Sequence, residues 1–147
     1  MRTLVWSSQY EIGIAVIDSD HKQLFELVGA IQRLIDDGNL PLARDMIQEF
    51  IEVAKNHFAR EMELLLRIGF PDRDNHGRYH AALLTKAREI KAQSDNEFGR
   101  AEAARLYSEL LALLLDDVIR GDMHFKDFIE ARAGIAPGGN SGAAPVR

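Results

Sequence analysis

With 147 residues, 46% of them hydrophobic and 28% charged, the chain has the size and composition of one globular domain. It contains no cysteine, which excludes disulfides, zinc-thiolate sites, iron-sulfur clusters and thiol nucleophiles, so any bound metal has nitrogen and oxygen ligands. A net charge of −5 without a cluster of Lys and Arg argues against a nucleic-acid partner, and no apolar run approaches the roughly 20 residues that span a bilayer.

The first ten residues turn polar after an arginine and lack the apolar stretch and cleavage site of a signal peptide, so a cytoplasmic location is expected. Residues 3–15 are expected as an extended arm packed across the fold through Trp6 and Tyr10. Helices are then predicted over 18–37, 41–68, 74–93 and 100–131, the last interrupted near Gly121. The breaks are Gly38-Asn39-Leu40-Pro41, Gly69-Phe70-Pro71-Asp72 and the stretch from Ser94 to Gly99. Residues 134–147, rich in Gly, Ala and Pro, are expected as a flexible tail beyond a bundle domain of residues 1–133. Short loops between helices of similar length predict an all-α fold, an antiparallel up-down-up-down four-helix bundle.

Alternating three- and four-residue spacing marks an inward stripe on each helix. The first carries Ile17, His21, Leu24, Val28, Ile31 and Ile35, and the second Ile47, Phe50, Ala54, His57, Glu61, Leu64 and Ile68. The third carries His76, His80, Leu83, Ala87 and Ile90, and the fourth Leu106, Leu110, Leu113 and Asp117. Each stripe is apolar except for one interruption: His21, the His57/Glu61 pair, the His76/His80 pair and Asp117. An unpaired charge or imidazole costs several kcal/mol to bury. Coordinated interruptions on four helices therefore point to a shared partner, and a metal pair fits all of them.

Heights along the helices agree. His21 lies about sixteen residues before the end of its helix and His57 about sixteen after the start of the next, at about 1.5 Å per residue. His76 and His80 open the third helix at the same end of the bundle. On the fourth helix the matching layer falls near Asp117, whereas His124 lies roughly 10 Å further along.

His57-Phe-Ala-Arg-Glu61 and His76-Gly-Arg-Tyr-His80 are i, i+4 pairs, which present two ligands from one helix face. Together with Asp18-Ser-Asp-His21-Lys-Gln-Leu-Phe25, the preceding Val5-Trp6 and Gly13-Ile14, and Gly69-Phe70-Pro71-Asp72, the chain resembles bacterial members of the hemerythrin family over residues 5–129. The resemblance implies two non-haem irons held by five histidines, a bridging glutamate and a bridging aspartate, with reversible binding of dioxygen. By that resemblance His21 and His57 match ligands of one iron, His76 and His80 match ligands of the other, and Glu61 matches the bridging glutamate.

The fourth helix departs from the pattern. The family has a histidine followed five residues later by the bridging aspartate, but Ile129 stands five residues after His124. Shifted upstream, Asp117 and Asp122 take the two positions, with Phe125, Phe128 and Ile129 matching the aromatic and apolar residues that follow. In this register Asp122 is the bridging carboxylate and Asp117 replaces the fifth histidine; the register in which His124 is a ligand stays open beside it.

A third carboxylate changes the expected chemistry. Two ferrous ions, a bridging hydroxide and two carboxylates leave a net positive charge, which a third carboxylate cancels. That favours oxidised iron and makes manganese possible at one position. The reading is thus an oxygen-binding metalloprotein, for storage or sensing, with dioxygen or peroxide as its small ligand. The alternatives are a redox protein with weak oxidase or peroxidase-like reactivity, and an iron- or oxygen-sensing interaction module. A ferritin-like site is disfavoured because Glu-x-x-His is absent from the chain. The remaining possibility is a plain bundle whose histidines are ordinary core or surface residues.

Overall fold

The structure, a computed structural model, describes residues 6–96 and 98–132. The expected tail at 134–147 and the start of the expected arm at 3–5 lie outside the described residues. Helices α1 (Ala15–Asp36), α2 (Leu40–Ile68), α3 (Arg73–Ser94) and α4 (Arg100–Leu115) are followed by a π-helical segment, Asp116–Asp122, and by α5 (Met123–Arg132). A 3₁₀ turn, Ser8–Tyr10, precedes them, and no strand occurs among the described residues.

Local chemistry sets the boundaries. At the start of α2 the Asn39 side chain accepts from the Leu42 N–H at 3.4 Å, and Pro41 occupies the first turn, where its missing N–H leaves no bond unmade. Gly69 ends α2 at φ +71, a left-handed conformation that costs glycine little, and Gly38 leaves α1 in the same way at φ +78. Helix α1 starts at Ala15, three residues before the predicted start at residue 18. The Asp18 carboxylate accepts from the N–H groups of Ile12 at 2.8 Å and Gly13 at 3.1 Å, which ties the incoming chain back over the first turn.

The loops at 37–39, 69–72 and 95–99 are too short for anything but antiparallel neighbours. Helix α1 packs on α2 and α4, α2 on α3, and α3 on α4, closing a four-membered ring. Among the described residues no helix is long and apolar enough to cross a membrane.

Every inward position read from the spacing, from Ile17 to Asp117, is buried. The apolar residues separate into two clusters. One runs from Leu24 and Phe25 through Val28, Ile47, Phe50 and Leu106 to Val118. The other holds Ile12, Ile14, Ile17, Leu64, Leu65, Ile68, Phe70 and Ile129. Each fully buried Leu, Ile or Phe side chain in them contributes about 1.5–3 kcal/mol. The polar interruptions fall between the clusters: His21 lies between Ile17 and Leu24 on α1, and Glu61 between Phe58 and Leu64 on α2. The arm caps this layer, with Trp6 and Tyr10 each 5.2 Å from the Phe25 ring.

Candidate metal centre

Helix geometry delivers each polar group to one layer. On α2, His57 and Glu61 are a turn apart on one face, and the His57 Nε2 to Glu61 Oε2 distance is 3.2 Å. On α3, His76 and His80 are likewise a turn apart, with both Nε2 atoms against Glu61 Oε1, the His80 contact at 3.0 Å. From α1, His21 Nε2 reaches Asp122 Oδ2 at 2.5 Å.

The fourth side uses a different device. In an α-helix, residues five apart point about 140° away from each other. The π-helical segment is wound wider, with i to i+5 bonding, and turns Asp117 and Asp122 toward the same side. Both are buried, at 1% and 0% exposure. The sequence-predicted interruption near Gly121 is therefore this segment, and it positions ligand-type residues.

Donor atoms within 4.8 Å of one another form two overlapping groups: His21, His57, Glu61 and Asp122, and Glu61, His76, His80 and Asp122. Glu61 and Asp122 belong to both. Asp117 stands across the two groups, its Oδ2 3.8 Å from His21 Nε2 and 3.6 Å from His57 Nε2, its Oδ1 3.6 Å from His80 Nε2. His124, the alternative fourth-helix candidate, is not brought to this layer. Its side chain is 65% exposed, with Nε2 4.0 Å from Asp72.

Without a cation the layer is poorly satisfied. His57 Nε2, His80 Nε2, Glu61 Oε2, Asp122 Oδ1 and both Asp117 oxygens are buried without a hydrogen-bond partner. Such orphaned groups each cost about 1–3 kcal/mol. They converge from α2, α3 and the π-helical segment and are all hard or borderline nitrogen and oxygen donors, a set that fits a pair of transition-metal cations.

Protonation responds to the same crowding. Burial disfavours the charged forms throughout, but the mutual contacts outweigh it. Asp117, Asp122, Asp20 and Glu61 around His57 hold its imidazole well above the ordinary histidine range. Asp122 and Glu61 push His76 up to about 10. The three facing histidines hold the Glu61 carboxyl well below the carboxylate range. Burial and the neighbouring Asp122 both work against ionisation of Asp117, yet His57 and His80 still bring its carboxyl below the usual value.

Two residues around the centre escaped the sequence reading as participants. Asp20 Oδ2 lies 3.1 Å from His57 Nδ1, and Arg60 holds that carboxylate with two hydrogen bonds of 2.9 and 2.8 Å. Both lie inside the quoted motifs, but off the inward stripes. A search for carboxylates adjacent to a ligand histidine, and for cations three residues beyond one, would have found them. The apolar surround includes Phe58, whose ring stacks on His80 at 4.0 Å and 13°.

Comparison with known proteins accords with this arrangement. The sequence profile of the Hemerythrin HHE cation binding domain matches residues 12–129, most of the chain and all of the polar layer. The chain belongs to the hemerythrin family. A bacteriohemerythrin of Stenotrophomonas maltophilia is 25% identical over 131 residues, covering 89% of this chain and 84% of that protein. A bacteriohemerythrin of Clostridium acetobutylicum is 30% identical over 86 residues, 56% of this chain and 67% of its own length. The myohemerythrin of Sipunculus nudus is 26% identical over 91 residues, 62% and 71% of the two chains. Within the hemerythrin family, then, this chain presents four buried histidines and three buried carboxylates in one layer, with its fifth histidine on the surface.

Proposed function

We propose that the chain holds two non-haem irons and binds dioxygen at them. The observation that carries this reading is the sharing of Glu61 and Asp122 between two four-donor groups. Two carboxylates common to both groups would each offer an oxygen to either ion and so would hold the two together. His21 and His57 complete one position, and His76 and His80 the other. Asp117 supplies a third carboxylate within reach of both.

Iron in such a site supplies a redox-active ion with a coordination position left for a small ligand. The chain's own residues decide what that ligand meets. Phe58 covers the His80 ring, and Leu24, Phe25, Leu113 and Val118 extend the apolar cluster on that side, keeping bulk water from the layer. Neutral imidazoles donate from Nε2 only when their second nitrogen keeps the proton, so the Nδ1 partner of each histidine matters to loading.

A second reading, a centre that turns over oxygen or peroxide instead of storing oxygen, is favoured by one feature. Asp117 stands where the resemblance leads to a fifth imidazole, and an anionic donor there stabilises oxidised metal. Manganese at one position belongs to the same reading.

The test is metal analysis of protein purified after growth with iron and manganese, followed by anaerobic reduction and titration with oxygen. Two irons per chain and an absorption change that reverses when oxygen is removed are expected for the carrier. Irreversible oxidation on the first exposure favours the redox reading, and a metal-free protein after reconstitution contradicts both.

A further inference from the structure

Beside the polar layer, between the start of α3 and the π-helical segment, lies an open cavity of about 180 Å³. That is ample for a cation with several of its waters, each of which needs about 10–15 Å³. Its lining divides by exposure. Asp72, Asn75 and His124 are exposed at the rim, whereas His76 and Gly121 are buried at the inner wall, with Tyr79 between. Across the rim, Asp72 Oδ2 stands 4.0 Å from His124 Nε2, a gap that two metal bonds of about 2.0–2.2 Å span. Both side chains have a support. Asn75 Nδ2 donates to Asp72 Oδ1 at 2.6 Å, and the Phe70 ring meets the His124 ring edge to face, 6.1 Å between centroids. The same Phe70 ring meets His76 at 6.4 Å and 86°, so one aromatic side chain lies against both the rim histidine and the wall histidine. At the inner wall Gly121 leaves the His76 ring uncovered. A Cβ there would stand 3.6 Å from His76 Cε1, the ring carbon bonded to Nε2. That nitrogen is the one turned into the layer, toward Glu61 Oε1 and toward Asp122 Oδ1 at 3.3 Å.

We propose that this cavity is the loading route of the metal centre, and that Asp72 and His124 form a transient capture site for a divalent cation at its mouth. This rests on the two-metal reading given above. A carboxylate and an imidazole suit the same borderline cations as the buried layer. Two bonds hold such an ion weakly, with water in its remaining positions, so it is caught without being kept. The layer reached past Gly121 and His76 offers more donors than the rim. The ion therefore passes inward, and the rim is vacated once the centre is filled, which leaves His124 free in the loaded protein. The exposed fifth histidine thus serves the arrival of metal and not its retention.

The experiment follows uptake of cobalt(II) by the metal-free full chain in a stopped-flow instrument over a range of cobalt concentrations, with final affinities taken from competition with a chelator. For wild type the uptake rate is expected to rise with cobalt and to level off as the rim site fills. Asp72→Asn and His124→Ala each slow uptake below saturation by about tenfold or more, the scale on which a charged cleft raises on-rates, and leave the final affinities unchanged. The Asp72 and His124 side chains are 49% and 65% exposed, so both variants are expected to fold. Asp74→Asn, which removes an exposed carboxylate of the same turn outside the cavity, loads like wild type. Three results would overturn the proposal. Wild-type uptake in either rim variant means no capture there, an equal slowing in Asp74→Asn means a long-range field alone, and a fall in final affinity that matches the slowing means a part in the finished site. A wild type that takes up no cobalt is a separate outcome, one that overturns the metal centre itself and this inference with it.

Discussion

The carboxylate of Asp117 and the imidazole of His80 face each other with Oδ1 3.6 Å from Nε2, while the second Asp117 oxygen is 3.6 Å from His57 Nε2. One side chain of the π-helical segment thereby touches the histidines of both proposed metal positions. An anion that reaches both should govern how readily the centre is oxidised.

Replacing that anion with a neutral donor is the first test. The dithionite-reduced, iron-loaded Asp117→His protein is expected to be oxidised by air roughly tenfold more slowly than wild type, equivalent to about 1.4 kcal/mol in the barrier. Stopped-flow absorbance gives the rate. Equal rates would remove Asp117 from the account of redox bias.

The metal-free and metal-loaded proteins should respond differently to alkali. In the free protein the contacts of His76 with Asp122 and Glu61, overcoming burial, raise its folded pKa from 6.5 to about 10. A raised folded pKa gives stability that is complete below the unfolded value and disappears as the pH climbs from 6.5 toward 10. Glu61 acts in the other direction: its lowered pKa contributes stability above the ordinary carboxylate range, which is lost in acid. Metal replaces the histidine protons, so loading improves as pH rises. Urea midpoints measured in chelator should fall between about pH 6 and about pH 9.5, and those of zinc-loaded protein should not. Parallel curves for the two forms would contradict this.

Gly121 lies at the edge of the centre for reasons of space. A Cβ there would stand 3.0 Å from Tyr79 Cε2 and 3.6 Å from His76 Cε1. Alanine gains about 1 kcal/mol of helix propensity over glycine, against about 1–3 kcal/mol for overpacking. Gly121→Ala should therefore destabilise the protein by about 1 kcal/mol, and the same change in a Tyr79→Ala background should stabilise it. Urea unfolding of the four proteins checks the sign reversal.

How much of this was legible in the residues depended on helical phase. The stripes from Ile17 to Asp117 repeat at the α-helical period, and all of their positions are buried. His21, His57, Glu61, His76 and His80 stood out because each breaks an apolar stripe at one height. Asp122 breaks no stripe. It is five residues from Asp117, an offset that an α-helix points elsewhere and that only the wider turn of residues 116–122 brings inward, so it came from family resemblance alone. His124 looked eligible because a fifth histidine was expected, and its exposure follows from its place beyond the layer, beside Asp72. Asp20 and Arg60 break no stripe and were assigned no role from the sequence, since that role depends on meeting across the α1–α2 seam, which is tertiary information.

The central claim is that two metal positions share Glu61 and Asp122. Anomalous diffraction at the iron edge, from crystals of the iron-loaded protein, tests it most directly. The account predicts two peaks, one ligated by His21 and His57, the other by His76 and His80, with Glu61 and Asp122 spanning them and His124 free of both. A single peak, or a peak bound to His124, would contradict it.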